Sequence, residues 1–495
     1  MKHILAFLTL LLLPLAALQA ATEKPNILLI LADDLGYGDM GCFGAKDIRT
    51  PHLDKMASDG LRLTSFYAQP ICGPSRAALM TGCYPIRIGE VKNGKNGHTL
   101  PHTKEITMAE VLRDAGYRTG IVGKWHLGMT QGCDPLSQGF DRAYFTPAFN
   151  GASRDIKLNA SFPFLRKPGE VARTIKTQAD MDTLTADSTR EALEFIRGTT
   201  SQEPGTRNIA PFFLYLAYHM PHVPLGASEK FRGKSQRGLY GDAVEELDDA
   251  VGQVLAELKK LALDENTLVV FTSDNGPWLD PQIGDHGGSA GCLRGAKMET
   301  WEGGWRVPGV VRWPGKVRSG EMSDEIASTL DLLPTFATFA KAKLSDAKLD
   351  GMDLTAFLTQ PGASSPRETF FYHNGPRLTA VRHEDWKLVF ARPARGEMPY
   401  MPGWLTGHIE SLPETQLFNL RADPAESKNL AVESPAVVKQ LTELAEQSRA
   451  ALGDYTGPGN EDRFFDLGPR WRAAVGTTDD PAMKSNTKTK AKREP

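Results

Sequence analysis

The sequence predicts an α/β fold, a large mixed β-sheet sandwiched by helices, joined to a smaller C-terminal α+β domain containing a short antiparallel sheet. Three observations carry this prediction. Four short apolar runs before residue 275 read as buried strands, and each flows directly into polar residues. Helical patterns lie between them, the alternation expected of an α/β layer. After about residue 365 the pattern changes to short strand candidates and one last helix.

The first run, Ile27-Leu28-Leu29-Ile30-Leu31, leads into Asp33-Asp34. A helix follows, with Thr107 and Glu110 forming a capping box before Val111-Leu112 and Gly116 available to end it. The second run, Arg118 to Val122, leads into Lys124-Trp125-His126; the third, Phe212 to Leu216, leads to His219 and His222. Val244, Leu247, Val251, Val254, Leu258 and Leu261 then repeat at helical spacing, an apolar stripe that packs on the sheet. The fourth run, Leu268 to Phe271, ends at Asp274-Asn275. Ligands of open α/β sheets bind beyond the carboxyl ends of the strands, so these four segments are expected to converge on one crevice. In the C-terminal part, Leu378 to Val381 and Trp386 to Phe390 read as strands, and a helix is expected from Val437 to Leu452.

At 495 residues the chain fits one large domain with a smaller companion. The expected division is a signal peptide at 1–21, a catalytic α/β domain at 22–365, a smaller α+β domain at 366–475 and a disordered basic tail at 476–495. Met1-Lys2-His3 followed by the apolar run from Ile4 to Leu18, with Ala20 and Ala21 behind it, has the form of a secretory signal, so the mature protein is expected to be periplasmic or secreted. That run is short for a membrane span and no later one approaches twenty apolar residues, so stable membrane insertion is not expected. Lys and Arg together number 57 against 60 Asp and Glu, a formal charge of -3, which argues against a nucleic-acid partner and leaves any anion to be recognised locally.

The segment Cys72-Gly73-Pro74-Ser75-Arg76-Ala77-Ala78-Leu79-Met80-Thr81-Gly82 resembles the signature C-x-P-S-R-x-x-x-[LM]-T-G of the formylglycine-dependent sulfatases, arylsulfatase-like members of the alkaline phosphatase-like superfamily. An isolated cysteine is ordinarily a small buried hydrophobe; the complete motif points instead to oxidation of Cys72 to formylglycine (3-oxoalanine) by a maturation enzyme. The resemblance implies a hydrated aldehyde, one hydroxyl of which attacks sulfur while ionisation of the other releases sulfate, an exit route that serine lacks. Pro74-Ser75-Arg76 is read as opening a helix whose free N–H groups favour an anion, with Arg76 as a fixed positive charge.

The resemblance extends to Leu31 through Asp39 and to Ser273-Asp274-Asn275-Gly276, and it implies Asp33, Asp34, Asp274 and Asn275 as metal ligands, completed by the oxygen at position 72. Alone, each of these short runs would be a turn. An all-oxygen set suits a hard cation, calcium ahead of magnesium. Gly123 to Gly128 resembles a further motif of the family, implying Lys124 as a sulfate contact and His126 as a base, the role for which an imidazole is suited. Pro221-His222-Val223-Pro224 resembles the family's second histidine site, implying His222 as the residue that touches sulfate and can protonate the leaving alcohol, with His219 as its neighbouring competitor. Gly295 to Pro308 resembles another family motif, tolerant of variation after its lysine, and implies Lys297 as another sulfate contact. Glu302 and Arg306 are read as a structural ion pair beneath the site, and Asp285 to Ser289 with Arg294 as lining of the pocket. Leu417 to Pro424 and Asn429-Leu430 match the closing pattern of the family, so the likeness spans nearly the whole mature chain.

The expected activity is hydrolysis of sulfate esters, with a sulfated carbohydrate as leading substrate. The alternatives are a phosphoester or phosphonate hydrolase on the same scaffold, which would need a second set of metal ligands, and a catalytically silent binder of sulfated glycans that keeps Cys72 as a thiol.

Overall fold

The computed structural model describes residues 24–89, 105–129, 132–148, 158, 160–200, 210–280, 286–392, 411–454 and 457–463. The expected signal peptide, the basic tail and Asp285 lie outside these residues.

Eleven strands form one mixed sheet: β1 (Asn26–Ala32), β2 (Leu61–Tyr67), β3 (Arg118–Lys124), β4 (Arg142–Thr146), β5 (Phe162–Lys167), β6 (Glu170–Ile175), β7 (Phe212–Ala217), β8 (Thr267–Ser273), β9 (Arg306–Arg312), β10 (Glu321–Ser323) and β11 (Ala327–Ser328). Their order is β10-β2-β9-β8-β1-β7-β3-β4-β5-β6, with β11 added beside β2. The four apolar runs are therefore neighbours, β8-β1-β7-β3, and all their pairings are parallel. Their carboxyl ends open on the same edge of the sheet, as the sequence predicts.

Every residue of β1, β7 and β8 is buried, which is why these strands read as continuous apolar runs rather than alternating ones. In β1, Leu28 and Ile30 face one helical layer, containing α1 (Pro51–Ser58) and, further along the chain, helices at Leu184–Thr200 and Gly238–Lys260. Ile27, Leu29 and Leu31 face the other layer, built on α2 (Cys72–Thr81), α3 (Met108–Asp114) and a helix at Leu332–Ala340. The Gly238–Lys260 helix carries the expected apolar stripe as far as Leu258, and Leu261 falls one residue past its end. At α3 the capping box forms in both directions, Thr107 Oγ1 accepting from Glu110 N and Glu110 Oε2 from Thr107 N.

The C-terminal part is a four-stranded antiparallel sheet of β12 (Thr369–Asn374), β13 (Arg377–His383), β14 (Trp386–Val389) and β15 (Gln416–Asn419), in that order. The last helix, Pro435–Leu452, covers one face through Leu441 and Ala445. The other face, through Phe370, Tyr372, Ala380 and Val389, packs against Tyr67, Tyr84, Trp301 and Trp305 of the first part. Among the described residues no helix is long and apolar enough to cross a membrane.

Candidate active site

β1 ends at Ala32, and the chain leaves it with Asp34 in the left-handed conformation (φ 65°). In a continuing strand the two aspartates would point to opposite faces. The turn instead brings carboxylate oxygens of Asp33 and Asp34 and a ring nitrogen of His222 within 4.8 Å of one another. Next door, Asp274 N donates to Ala32 O (3.1 Å) just beyond β8, and Asp34 N donates to Asp274 Oδ1 (3.2 Å). Asn275 Nδ2 donates to Asp34 Oδ1 at 2.7 Å. Gly276 has to be glycine, since a Cβ there would lie 1.7 Å from Gly303 O.

Cys72 is the first residue of α2, two positions ahead of the Pro74 start expected from sequence. It is buried, and its sulfur shares the 4.8 Å neighbourhood of Asp33 and Asp274. One turn later, Arg76 places Nε and Nη2 on Asp274 Oδ2 (3.1 and 2.8 Å) and Nη1 on Lys124 O (2.7 Å) and Tyr215 Oη (3.2 Å). Its charge is present one turn from Cys72, but its donors hold Asp274 and the end of β3. Lys124, last residue of β3, puts Nζ 2.5 Å from Asp33 Oδ2. Lys297 reaches Asp34 from a distant loop, Nζ lying 2.6 and 2.9 Å from its two oxygens. His126, at φ 61°, is buried just beyond Lys124.

The two histidines after β7 are separated clearly. His222 sits with Nε2 3.7 Å from Asp34 Oδ2 and Nδ1 against Val223 O, which places the ring proton on Nδ1 and turns Nε2 toward the site. His219 Nε2 lies 2.7 Å from Thr146 Oγ1, its ring packed on Phe164 at 5.1 Å. Among the pocket-lining expectations, His286 contacts Pro221 O (2.8 Å) and the Tyr240 ring, directly behind His222. Ser289 is held by Asp39, whereas Arg294 turns away to Trp301 and Glu426 O. Arg306 lies 3.9 Å from Glu302, but Glu302 has closer partners in Tyr67, Tyr372 and Lys387, so the expected local pair is a minor part of a wider network.

Burial raises the Asp34 carboxyl, yet Lys297, His222 and Lys124 outweigh it and hold the group well below the usual carboxylate range. Asp274 goes the other way, pushed up to about 6 by burial and by Asp33, with Arg76 only partly compensating. Burial, joined by Lys124 and Arg76, keeps His126 neutral; burial, offset in part by Asp34, does the same for His222. Burial lowers Lys297, but Asp34 and the other acidic groups overcome it and keep the ammonium protonated.

Sequence reasoning missed Trp278. Its ring lies 4.4 Å below Lys297 Nζ and edge-on to His222 at 5.4 Å, so it buttresses both residues. A large aromatic three positions past Asn275 was the available signal. It also missed Asp39 as a brace, buried and bonded to Arg237 (2.5 Å), Tyr240 (2.5 Å) and the backbone at Gly36 and Ser289.

The oxygen-rich corner fits a hard cation. Asp33 Oδ1 and Asn275 Oδ1 are buried without a hydrogen-bond partner, an arrangement that costs free energy unless something else binds them. Both belong to residues read from the sequence as metal ligands.

The same architecture appears in known proteins. The Sulfatase family model matches residues 25–342, and the model for the C-terminal region of aryl-sulfatase matches 365–458. N-acetylgalactosamine-6-sulfatase of Canis lupus familiaris is 36% identical over 464 residues, covering 87% of each chain. Arylsulfatase A of Homo sapiens is 38% identical over 485 residues, covering 88% of this chain and 89% of its own. Among solved structures, the PsFucS1 sulfatase from Pseudoalteromonas sp. superposes with a TM-score of 0.79 at 30% identity, over 92% of this chain and 94% of that one. With the signature at Cys72, the parallel-strand crevice and both family regions in one chain, the protein belongs to the sulfatase family and is a sulfuric ester hydrolase.

Proposed function

We propose that this sulfatase removes sulfate from a carbohydrate, using formylglycine made from Cys72 and one calcium ion held by Asp33, Asp34, Asp274 and Asn275, with magnesium as the less suited ion. The observation that carries the metal reading is the pair of buried, unpartnered oxygens, Asp33 Oδ1 and Asn275 Oδ1, beside Cys72. Calcium there would supply charge to hold and polarise the sulfate group, and hydrated formylglycine would supply the hydroxyl nucleophile.

The remaining work falls to this chain's own side chains. Lys124 and Lys297 bring fixed positive charge against the sulfate oxygens, each oriented by a carboxylate. Lys297, held protonated, gives the departing alcohol oxygen its proton, and His222, whose Nε2 faces the site without a proton while the ring is neutral, shares that role only once the ring has taken up a second proton. His126, kept neutral by burial and Lys124, acts as base when sulfate is expelled. Arg76 positions Asp274 and the end of β3.

The sugar substrate is supported by the likeness to N-acetylgalactosamine-6-sulfatase, and the apolar start of the chain supports export to the periplasm or medium. We take 22–365 as the catalytic domain and 366–475 as its companion. A phosphoester hydrolase with two ions is less well supported: the two candidate metal groups among the described residues share Asp33 and together hold too few ligands for two complete sets.

The test is mass spectrometry of the Cys72 peptide from protein made together with a formylglycine-generating enzyme, followed by sulfate release from N-acetylgalactosamine 6-sulfate and other defined sulfated sugars. Aldehyde with calcium-dependent sulfate release is the expected result. Aldehyde with activity only on phosphate esters would favour the phosphoesterase, and a persistent thiol with glycan binding would favour the silent binder.

A further inference from the structure

Lys297 is delivered to Asp34 by an irregular segment, and the residue after it carries an uncommon conformation. Met298 is buried and left-handed, with φ 74°, a region that side-chain-bearing residues other than Asn, Asp and His rarely adopt. Such a conformation persists only where the surroundings enforce it, and here two bonds do so from opposite sides. Met298 N donates to Pro70 O at 2.8 Å, two residues ahead of Cys72. Met298 O accepts from Asn374 Nδ2 at 2.7 Å.

Asn374 is the last residue of β12 and wholly buried. Its Oδ1 has no hydrogen-bond partner, so within the described residues the side chain's amide is spent on Met298 O. Lys297 itself is tied on the near side, its N donating to Pro277 O at 3.0 Å. The lysine is thus strung between a bond at its own nitrogen and a clamp on the next residue, and one jaw of that clamp belongs to the C-terminal sheet.

We propose that Asn374 is a positioning residue for sulfate binding: by clamping Met298 in the left-handed conformation, the C-terminal sheet fixes where the Lys297 ammonium sits. Without the Asn374 bond the peptide after Met298 turns to relieve its backbone, and Lys297, one residue away, moves with it. The proposal rests on the reading of Lys297 as a sulfate contact. Glycine adopts φ 74° freely, so a glycine at 298 needs no clamp, whereas alanine removes the same side chain and still does.

The experiment uses full-length mature protein, with 4-nitrocatechol sulfate turnover and calorimetric binding of inorganic sulfate as readouts. Asn374→Ala is expected to weaken sulfate binding and lower kcat/KM about tenfold each, the weight of one buried hydrogen bond. In a Met298→Ala background the same tenfold loss is expected; in a Met298→Gly background the loss shrinks to less than about twofold. Equal losses in the two backgrounds would show Asn374 to be merely structural and overturn the proposal, as would an unchanged sulfate affinity in Asn374→Ala. If Asn374→Ala does not fold, Asn374→Ser replaces it in the same comparison. Sulfate binding without turnover by the parent protein would count against the sulfatase mechanism, while the Gly-against-Ala contrast in binding would still decide the clamp.

Discussion

The segment from Lys297 to Arg306 feeds two buried charge clusters, and the contrast between them is instructive. At one end Lys297 joins Asp33, Asp34 and Asp274, faced by Lys124 and Arg76. At the other, Glu302 meets Lys387 and Glu426 where the two sheets pack. Both clusters are withdrawn from water. In the second, Glu302 accepts from Tyr67 Oη (2.5 Å), Tyr372 Oη (2.7 Å) and Lys387 Nζ (3.0 Å), so its oxygens are filled by the protein. In the first, Asp33 Oδ1 and Asn275 Oδ1 are left unfilled. Glu426 Oε1 also lacks a hydrogen bond, but Lys387 Nζ lies 2.8 Å from it. Buried charge by itself therefore does not mark a working site; what separates the first cluster is two unfilled oxygens on residues gathered beside Cys72.

The contrast breaks most visibly at Cys72, the source of the proposed nucleophile. Cys72→Ala is expected to lower turnover by about 10⁴-fold or more, as loss of a covalent nucleophile does, with the fold intact by circular dichroism. Comparable sulfate release by this variant would remove Cys72 from the chemistry. Next, Asp274→Asn is expected to cost about 10³-fold in kcat/KM and to abolish calcium stabilisation. In the parent, calcium at one hundred times its Kd should add about 2.7 kcal/mol to unfolding free energy. A variant still stabilised by calcium would place the ion elsewhere.

Lys387→Met tests the other cluster. It leaves two buried carboxylates without their shared cation and is expected to destabilise by about 3–5 kcal/mol, with calcium stabilisation retained. A denaturation midpoint equal to the parent's would mean that the network is not coupled to folding.

The smallest effect is in the pH dependence. Burial raises Glu302, but Lys387, Arg382 and Arg306 outweigh it and bring the group down to about 2; burial and Glu302 push Glu426 up to about 7 against the pull of Lys387. Both begin from an ordinary value of 4.5. The Glu302 contribution is present above 4.5 and lost as pH falls toward 2; that of Glu426 is full below 4.5 and lost as pH rises through 7. The interface is thus strongest near pH 4.5, where the two contributions overlap. Glu426→Gln should flatten the decline between pH 5 and 8 in thermal unfolding; an unchanged slope would assign that decline to other groups.

Much of this was legible in the sequence because of how parallel strands are built. Buried on both faces, β1, β7 and β8 are continuous apolar runs, and a polar pair at the end of such a run stands out, as at Asp33-Asp34 and Asp274-Asn275. Strand order was not legible, since pairing between β1 and β8 leaves no local mark. For the same reason Glu302 was matched with Arg306, its neighbour along the chain, when its closer partners come from β2, β12 and β14. The choice between His219 and His222 hung on a Val-Pro dipeptide until geometry put one ring against Thr146 and the other beside Asp34. Trp278 escaped because an aromatic near a strand end ordinarily reads as core packing.

The hydrogen bond between Asn275 and Asp34 joins residues 241 positions apart, so the two banks of the crevice come from distant parts of the chain. During synthesis the first bank is made early and has to wait for nearly half the chain before the second arrives beside it. A chain cut short before β8 would keep Asp33, Asp34 and His222 but lack Asp274 and Asn275, half of the oxygen set, at a raw sheet edge. Affinity for the proposed ion would in this sense be a report on completeness, registering whether the central strands have been assembled in their proper order.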